Sequence, residues 1–299
     1  MDPQQLAFAL ASRRFFTGAQ WIARLPFGKT RLSRIWGRLA SPYKADRPAL
    51  QQSFMHAFGV DEATASRFTN GWLASHGLFA TSIFDYHRMD PAWVRQHVSI
   101  DQPDVLAQLQ AQGGLVLSYH SHHHNTLGIV LGQSGVPTWG VAATEKASPM
   151  APYTGRFMRI INGQSEAKFG GGKYLFTDEP RNLLRGLRQA FASRHGVVSI
   201  CDNPMPPGDQ PPVHFMGRSF HVGVGVVETA LEQQVPVTLA LLYPDLLGGY
   251  RLLLKRLPDG LGTHEVVQSY FDFLASAVRH SPWAWQGWHW HHGLPRTQG

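Results

Sequence analysis

The sequence predicts an α/β fold preceded by a helical region. Before about residue 112, large apolar side chains recur at roughly helical intervals, at Phe54, Phe58, Phe68, Trp72 and Phe79. From residue 113 onward, short apolar runs alternate with helix-like segments, as they do in α/β proteins. With 299 residues and 43% hydrophobic content, the chain can bury a large core. We therefore divide it into a helical region at 1–112 and an α/β domain at 113–299.

Each part of the α/β domain has its own local signal. Short apolar runs predict strands at 115–119, 138–141, 197–201, 213–216, 237–243 and 250–254. Periodic segments predict helices at 125–132, 181–193, 224–234 and 265–279. Residues 203–212 contain five prolines and predict a loop after a strand end, where α/β proteins place ligand-contacting segments. The nine tryptophans are predicted to lie mainly in the core or at an interface. In the tail, the near-alternate spacing of Trp283, Trp285, Trp288 and Trp290 also fits an aromatic edge facing a membrane or a last strand.

The net charge of +7 is concentrated in the first 47 residues. That segment holds nine basic side chains against Asp2 and Asp46, so the remaining residues balance at 18 basic and 18 acidic. A neutral body disfavours a nucleic-acid partner. Phenylalanine, tryptophan and leucine lie among the cations, a combination typical of an amphipathic element on an anionic membrane. A basic helix packed on the body is the alternative.

Two features of the composition limit the remaining possibilities. No apolar run approaches the roughly 18 to 20 residues of a membrane-spanning helix, so we expect none. Cys201 is the only cysteine, which excludes an internal disulfide and a four-cysteine metal site. A cytoplasmic, reducing location is the simpler assumption. Because Cys201 lies in an apolar strand, inert packing is favoured over a nucleophilic role.

The segment His120-Ser121-His122-His123-His124-Asn125 follows the predicted strand at 115–119. It therefore lies at the carboxyl edge of the sheet, where active sites of this architecture collect. A first interpretation is a metal site, because imidazole is a common metal ligand and a strand followed by His-x-His is similar to the metallo-β-lactamase motif. His124 and Asn125 stand where that motif has Asp and His. Further ligands, His289, His291 and His292, would require the sheet termini to converge.

A second interpretation of the same segment is acid–base catalysis. His120 can accept a proton near neutral pH, and Asn125 follows after a spacing that lets the two side chains face one another. The third interpretation is a solvated loop without a function. The residues alone leave these three open.

Residues 113–135, GGLVLSYHSHHHNTLGIVLGQSG, resemble the first block of the H-x4-D/E acyltransferases. Downstream positions that match the family are Asp202, Phe215, Gly217, Arg218 and Pro236, and the tail SPWAWQGWHWHH is similar to the family's closing segment. The resemblance covers about 110–292. It is greatest to the late, lauroyl/myristoyl-type acyltransferases of lipid A biosynthesis, with the mycobacterial phosphatidylinositol mannoside acyltransferase as a cousin. It implies a glycerolipid acyltransferase-like fold with a mixed central sheet flanked by helices.

The chain departs from that family at two points. Asn125 occupies the position of the family's acidic residue, and an amide can orient an imidazole but cannot stabilise its positive charge. Asp202 and Glu166 are candidate substitutes for that acid. The hydrophobic, membrane-embedded N-terminal helix of the family has no counterpart, so we expect peripheral attachment to the inner face of the cell membrane.

The resemblance implies transfer of a fatty acyl group from a thioester of acyl carrier protein or coenzyme A to a hydroxyl or amine. The acceptor is a lipid, a glycolipid or a specialised metabolite, His120 is the general base, and no cofactor or metal is required. Candidate substrate-binding residues are Arg156 and Arg159 for an acceptor phosphate, Arg218 for the developing oxyanion, and Asp202. The alternatives are a metal-dependent hydrolase and a non-catalytic member that binds lipid or carrier protein.

Overall fold

The computed structural model describes residues 3–25, 27–144, 151–207, 210–245 and 248–295. Over these residues the chain forms a mixed seven-stranded sheet flanked by helices, and a helical region precedes the sheet. The predicted α/β class and the helical N-terminal region are therefore confirmed. None of the described helices combines the length and the apolarity that crossing a membrane requires.

The helices of the described residues are α1 (Pro3–Ala23), α2 (Lys29–Ala40), α3 (Arg47–Phe58), α4 (Glu62–Ser82), α5 (Pro91–His97), α6 (Pro103–Gln112), α7 (His124–Gln133), α8 (Ala151–Glu166), α9 (Pro180–Ala192), α10 (Gly225–Glu232), α11 (Thr263–His280) and α12 (Trp288–His291). The strands are β1 (Val98–Ile100), β2 (Gly114–Ser118), β3 (Thr138–Ala142), β4 (Tyr174–Phe176), β5 (Gly196–Ile200), β6 (Pro204–Met205), β7 (Val213–Phe215), β8 (Arg218–Val222), β9 (Val237–Pro244) and β10 (Tyr250–Arg256).

The central sheet has the strand order β1-β10-β9-β2-β5-β3-β4. Neighbouring strands run parallel except β9 and β10, which are antiparallel. Helices cover both faces, so β2 and β9 are buried along their whole length and read as uninterrupted apolar runs. Leu115 and Leu117 pack into the core beneath α9 and α11, whereas Val116 between them packs into the core beneath α6 and α7.

The sequence did not predict β1, β4, β6, β8 or α8. Three of these strands have only two or three residues, too few for an alternating pattern to register. The strand β8 follows β7 after a two-residue turn in which Met216 and Gly217 have φ angles of 48° and 76°. Such a turn needs positive φ at both positions, which accounts for the glycine in the Phe-x-Gly-Arg motif. The strand β1 lies within 1–112 but pairs with β10, so the predicted helical region contributes an edge strand to the sheet.

The described part of the tail forms no strand, and the burial of two of its four tryptophans agrees with the prediction of a core position. Residues Pro282–Ala284 form a turn of 3₁₀ helix, and α12 follows shortly afterwards. Trp285 and Trp288 are fully buried, so they form part of the core instead of an edge that faces a membrane. Packing against the N-terminal helices has overridden the alternating pattern, since Ser53 on α3 donates a hydrogen bond to the carbonyl oxygen of Trp288 at 2.7 Å.

The N-terminal helices pack through small residues. Gly37 on α2 lies directly against Gly77 on α4, and a Cβ atom at residue 37 would overlap the carbonyl oxygen of Leu73 and lie 2.7 Å from the nitrogen of Gly77. Only glycine allows this approach without displacing α2. The N-terminus of α4 is capped by Asp61, whose carboxylate accepts a hydrogen bond from the Thr64 amide at 2.8 Å.

We predict that Gly37→Ala lowers the free energy of unfolding by about 1 to 3 kcal/mol, because the added methyl group overpacks the α2–α4 contact. Guanidinium denaturation followed by circular dichroism measures this change in the free energy of unfolding. The control is Gly163→Ala on α8, where a Cβ atom meets nothing within 4 Å. Equal stability of the two variants would show that α2 and α4 are not tightly packed.

Candidate active site

The sheet brings two strand ends together at its carboxyl edge. The strands β2 and β5 are parallel neighbours, and Ser118 is paired with Ile200. His120 and Asp202 each lie two residues past these paired positions. The two side chains therefore meet across the edge although 82 residues separate them in the sequence.

His120 and Asp202 form a two-point contact. Nδ1 of His120 lies 2.5 Å from one carboxylate oxygen of Asp202, and the backbone N–H of His120 donates to the other oxygen at 2.9 Å. A carboxylate only accepts hydrogen bonds, so Nδ1 carries the proton and Nε2 of the neutral ring holds the lone pair. Asp202 is fully buried, whereas the His120 side chain is 30% exposed. Within the described residues Nε2 has no hydrogen-bond partner, so the lone pair is available for a proton.

The C-terminal tail holds this pair in place. Trp285 donates its indole N–H to Asp202 at 2.7 Å, and the backbone N–H of Gln286 donates to the carbonyl oxygen of His120 at 2.5 Å. On the other side of the tail, the indole N–H of Trp72 on α4 donates to the carbonyl oxygen of Trp285 at 2.8 Å. The sequence motifs did not identify Trp285 as a residue of the site. Its only signal was the tryptophan-rich tail.

The pair shifts both pKa values in the direction of the charged forms. Burial lowers the pKa of His120, but the negative charge of Asp202 and its hydrogen bond together outweigh burial and raise it above 6.5. For Asp202, burial raises the pKa, and the His120 charge with the hydrogen bonds from His120 and Trp285 outweighs it and lowers the pKa. The arrangement therefore stabilises an imidazolium at His120 once it has accepted a proton.

The other histidines of the segment have hydrogen-bond and packing partners different from those of His120, although the ring centroids of His120 and His124 lie 5.5 Å apart. His122 is 2% exposed, and its ring centroid lies 4.6 Å from that of Trp72 and 4.9 Å from that of His76. Burial lowers the pKa of His76 to about 3, and that of His122 is lowered for the same reason. Neutral, inward-facing rings of this kind contribute to packing.

His123 and His124 also have partners of their own. Nδ1 of His123 lies 3.3 Å from the hydroxyl of Tyr250, and Nδ1 of His124 lies 2.8 Å from the carbonyl oxygen of Ser121. Burial lowers the pKa of His123 to about 3 and that of His124 to about 4. Among the residues that the structure describes, no three His, Cys, Asp or Glu side chains are grouped as metal ligands.

A cleft of about 410 Å³ opens beside His120. Its floor is the face of β3 and β5 that carries Gly140 and Val198, and its walls include Asn125 on α7 and Asn162 on α8. His120 thus lines a cavity that has both polar and apolar walls.

An apolar groove of about 360 Å³ lies on the opposite face of the same strands. Leucines 183, 184 and 187 of α9 line it together with Val226 of α10. The cleft and the groove share the residues Val141, Thr177 and Ile200, so the two cavities meet at the carboxyl edge of β3 and β5. Cys201 also lines the groove; burial raises its pKa to about 12, so it remains a thiol at neutral pH.

The structure gives Asn125 a different environment from the one predicted. Asn125 lines the cleft, as His120 does, but Asp202 and not Asn125 bonds Nδ1 of His120. The amide oxygen of Asn125 instead lies 3.4 Å from the hydroxyl of Tyr174. Asn125 sits on the first turn of α7, which turns away from the strand end, while Asp202 extends from the neighbouring strand. Of the two candidate substitutes, Glu166 accepts a hydrogen bond from the amide of Tyr174 at 2.9 Å and Asp202 contacts His120.

The predicted substrate-binding residues are not gathered in the cleft. Arg156 and Arg159 are exposed on α8, but the α8 residues in the cleft wall are Met158 and Asn162. Arg218 is 6% exposed and donates to the carbonyl oxygen of Leu294 at 2.8 Å, where it secures the tail. Because Asp202 is fully buried beneath His120, it is placed to orient the ring and not to contact a substrate.

No family model matches the chain, and no curated protein matches it either. The function is therefore argued from the geometry of the site, and the family resemblance of the sequence stays an expectation.

We predict that Asp202→Asn lowers the pKa of His120, because it removes the negative charge that raises it and leaves burial, which lowers it. The pKa is measured by NMR titration of the ring resonances, assigned by their loss in His120→Ala. The control is Asp272→Asn, an exposed carboxylate on α11. If the pKa of His120 is unchanged in Asp202→Asn, the two side chains are not in contact in solution.

Proposed function

We propose that this protein is an acyltransferase that moves a fatty acyl group from a thioester to a hydroxyl or amine. The observation that carries the proposal is that Asp202 fixes Nδ1 of His120, and that His120 lines a cleft that adjoins an apolar groove. A general base needs a partner that orients its ring, and a fatty acyl chain needs an apolar groove beside the reacting atoms. The sequence resemblance to the H-x4-D/E acyltransferases, and to their glycerolipid acyltransferase-like fold, points to the same chemistry.

The proposed reaction needs no covalent acyl-enzyme. Nε2 of His120 accepts the proton of the acceptor hydroxyl or amine as that group attacks the thioester carbonyl. The new C–O or C–N bond forms, the C–S bond breaks, and the imidazolium returns the proton to the departing thiolate. Asp202 stabilises the imidazolium between these two steps, a contribution that the amide of Asn125 alone would lack.

The apolar groove is the proposed site of the acyl chain. Leucine and valine side chains line it, and it meets the cleft at Ile200. A thioester carbonyl at this junction would lie beside His120, with the chain directed to one face of the sheet and the acceptor to the other. Each methylene buried in such a groove is worth about 0.8 kcal/mol until the groove ends.

Acyl carrier protein and coenzyme A are the two proposed donors, and the acceptor is a lipid, a glycolipid or a specialised metabolite. The exposed Arg156 and Arg159 lie on α8, which forms one wall of the cleft, and remain candidates for binding an acceptor phosphate at its entrance. Peripheral attachment to the inner face of the cell membrane is the proposed location. The excess of basic side chains in the first 47 residues supports it.

His120→Ala is expected to lower the rate of acyl transfer by about 100- to 10,000-fold, because it removes the general base. In the wild type the rate should rise with pH through the pKa of His120, since only the neutral ring accepts a proton. That pKa is raised, so the acidic limb has its midpoint above pH 6.5. Transfer from labelled acyl thioesters to a panel of acceptors, followed by mass spectrometry, measures both quantities.

The control for that experiment is His221→Ala, a partly buried histidine on β8 outside the cleft. Full activity of His120→Ala would remove the proposed mechanism. Wild-type protein that binds acyl thioesters without turning them over would favour a non-catalytic binding role. In Asp202→Asn, any residual activity should have its acidic limb at lower pH than in the wild type.

Gly225→Leu is expected to shorten the acyl chain that the enzyme prefers. Gly225 lines the groove, and a Cβ atom there meets nothing within 4 Å, so the larger side chain is accommodated but fills space. Each methylene that no longer fits in the groove should lower kcat/KM for the longer acyl donors about four-fold. Competition between donors of different length measures this, with Gly163→Leu on α8 as control. An unchanged chain-length profile would place the acyl chain elsewhere.

A further inference from the structure

The helix α2 packs Trp36 against α1 but presents three other large apolar side chains outward. It packs on α4 through Ser33 and Gly37, which are buried, and Ser33 lies 2.8 Å from the hydroxyl of Thr81. The large side chains Leu32, Ile35 and Leu39 are 40%, 40% and 63% exposed. Amphipathic helices of soluble proteins bury the apolar stripe against the core. The reversed arrangement leaves this stripe without a partner among the described residues.

The end of α1 and the segment before α2 extend the same feature. Trp21 is 65% exposed, Leu25 is 39% exposed and Phe27 is 85% exposed. The described residues contain twelve exposed large hydrophobic side chains, and eight of them lie in the first 40 residues. They are Leu6, Leu10, Trp21, Leu25, Phe27, Leu32, Ile35 and Leu39. This concentration marks an interaction surface, because large exposed apolar patches are rare on soluble monomers.

Basic side chains lie among these apolar ones. Arg24 and Arg31 are exposed beside them, and the guanidinium of Arg24 lies 5.0 Å from the ring centroid of Trp21. In the first 47 residues only Asp2 and Asp46 oppose nine basic side chains. A surface of this composition complements a layer that is anionic at its face and apolar beneath.

We propose that Trp21, Leu25, Phe27, Leu32, Ile35 and Leu39, with Arg24 and Arg31, form a surface that inserts into the face of an anionic phospholipid bilayer. This α1–α2 surface gives the proposed peripheral attachment a defined location. A second copy of the chain is a poorer occupant, because a two-fold interface would bring two strongly basic segments together. An anionic headgroup layer neutralises the cations while the tryptophan, phenylalanine and leucine side chains leave water.

The surface lies close to the cleft. Phe16 on α1 and Phe157 on α8 stack with their ring centroids 5.2 Å apart. The same helix α8 contributes Met158 and Asn162 to the wall of the cleft. For a lipid substrate in the bilayer, the packed pair α1 and α8 therefore connects the surface to the wall of the cleft. Only this consequence rests on the proposed acyl transfer; attachment to the bilayer does not.

The test is co-sedimentation of the full chain with vesicles, without any substrate. Vesicles of phosphatidylcholine with phosphatidylglycerol are compared with vesicles of phosphatidylcholine alone. We expect binding to the anionic vesicles and much weaker binding to the neutral ones. Arg24→Glu with Arg31→Glu should lower partitioning by at least about five-fold for each cation removed. Phe27→Ala with Leu39→Ala should lower it several-fold at unchanged charge.

Matched controls separate this surface from general effects. Met205→Ala with Met55→Ala removes exposed apolar side chains elsewhere, and Arg181→Glu with Arg188→Glu reverses exposed charges on α9. Circular dichroism verifies folding of each variant. Equal binding by the α1–α2 variants and the controls overturns the proposal. The proposal is also overturned if the protein forms a dimer in the absence of vesicles and Phe27→Ala with Leu39→Ala dissociates that dimer. Because no thioester is present, failure of acyl transfer leaves this result intact.

Discussion

A buried carboxylate is the constraint on which the site depends. Asp202 is removed from water completely, and an ion in that position is stable only if its oxygens accept strong hydrogen bonds. Three N–H groups supply them, from the ring and backbone of His120 and from the indole of Trp285. Those donors and the carboxylate itself come from three separate parts of the chain. Satisfying one carboxylate therefore fixes the end of β2, the end of β5 and the tail relative to one another.

The N-terminal helices take part in the same arrangement, although none of their side chains bonds the pair directly. Trp72 and Ser53 donate to carbonyl oxygens of the tail, and Gln286 donates to the hydroxyl of Tyr43 at 3.3 Å. The tail thus lies between the helical region and the sheet. This explains why aromatic residues are abundant in both segments: large rings fill the space around few polar contacts. The helical region, which also carries the α1–α2 surface, is in this way joined to the edge of the sheet that holds His120 and Asp202.

Separate local patterns account for much of this fold. The apolar runs of β2, β5 and β9 and the periodic helices α7, α9 and α11 were predicted within a few residues of their observed bounds. Short strands were missed because two or three residues are too few to show the alternation of apolar and polar side chains. The tail was mistaken for a strand because Trp285 and Trp288 are buried by contacts with α3 and α4 that are remote in sequence.

At the site, the sequence alone determined that a histidine stands at the end of a buried strand, and that Asp202 ends another. It did not determine which residue holds that histidine. Spacing along one chain favoured Asn125, because five residues can span a strand end and a helical turn. Only the tertiary structure decided for Asp202, since the pairing of β2 with β5 sets two distant strand ends side by side while α7 carries Asn125 toward Tyr174. Distances across a sheet follow from strand order, and no local pattern records that order.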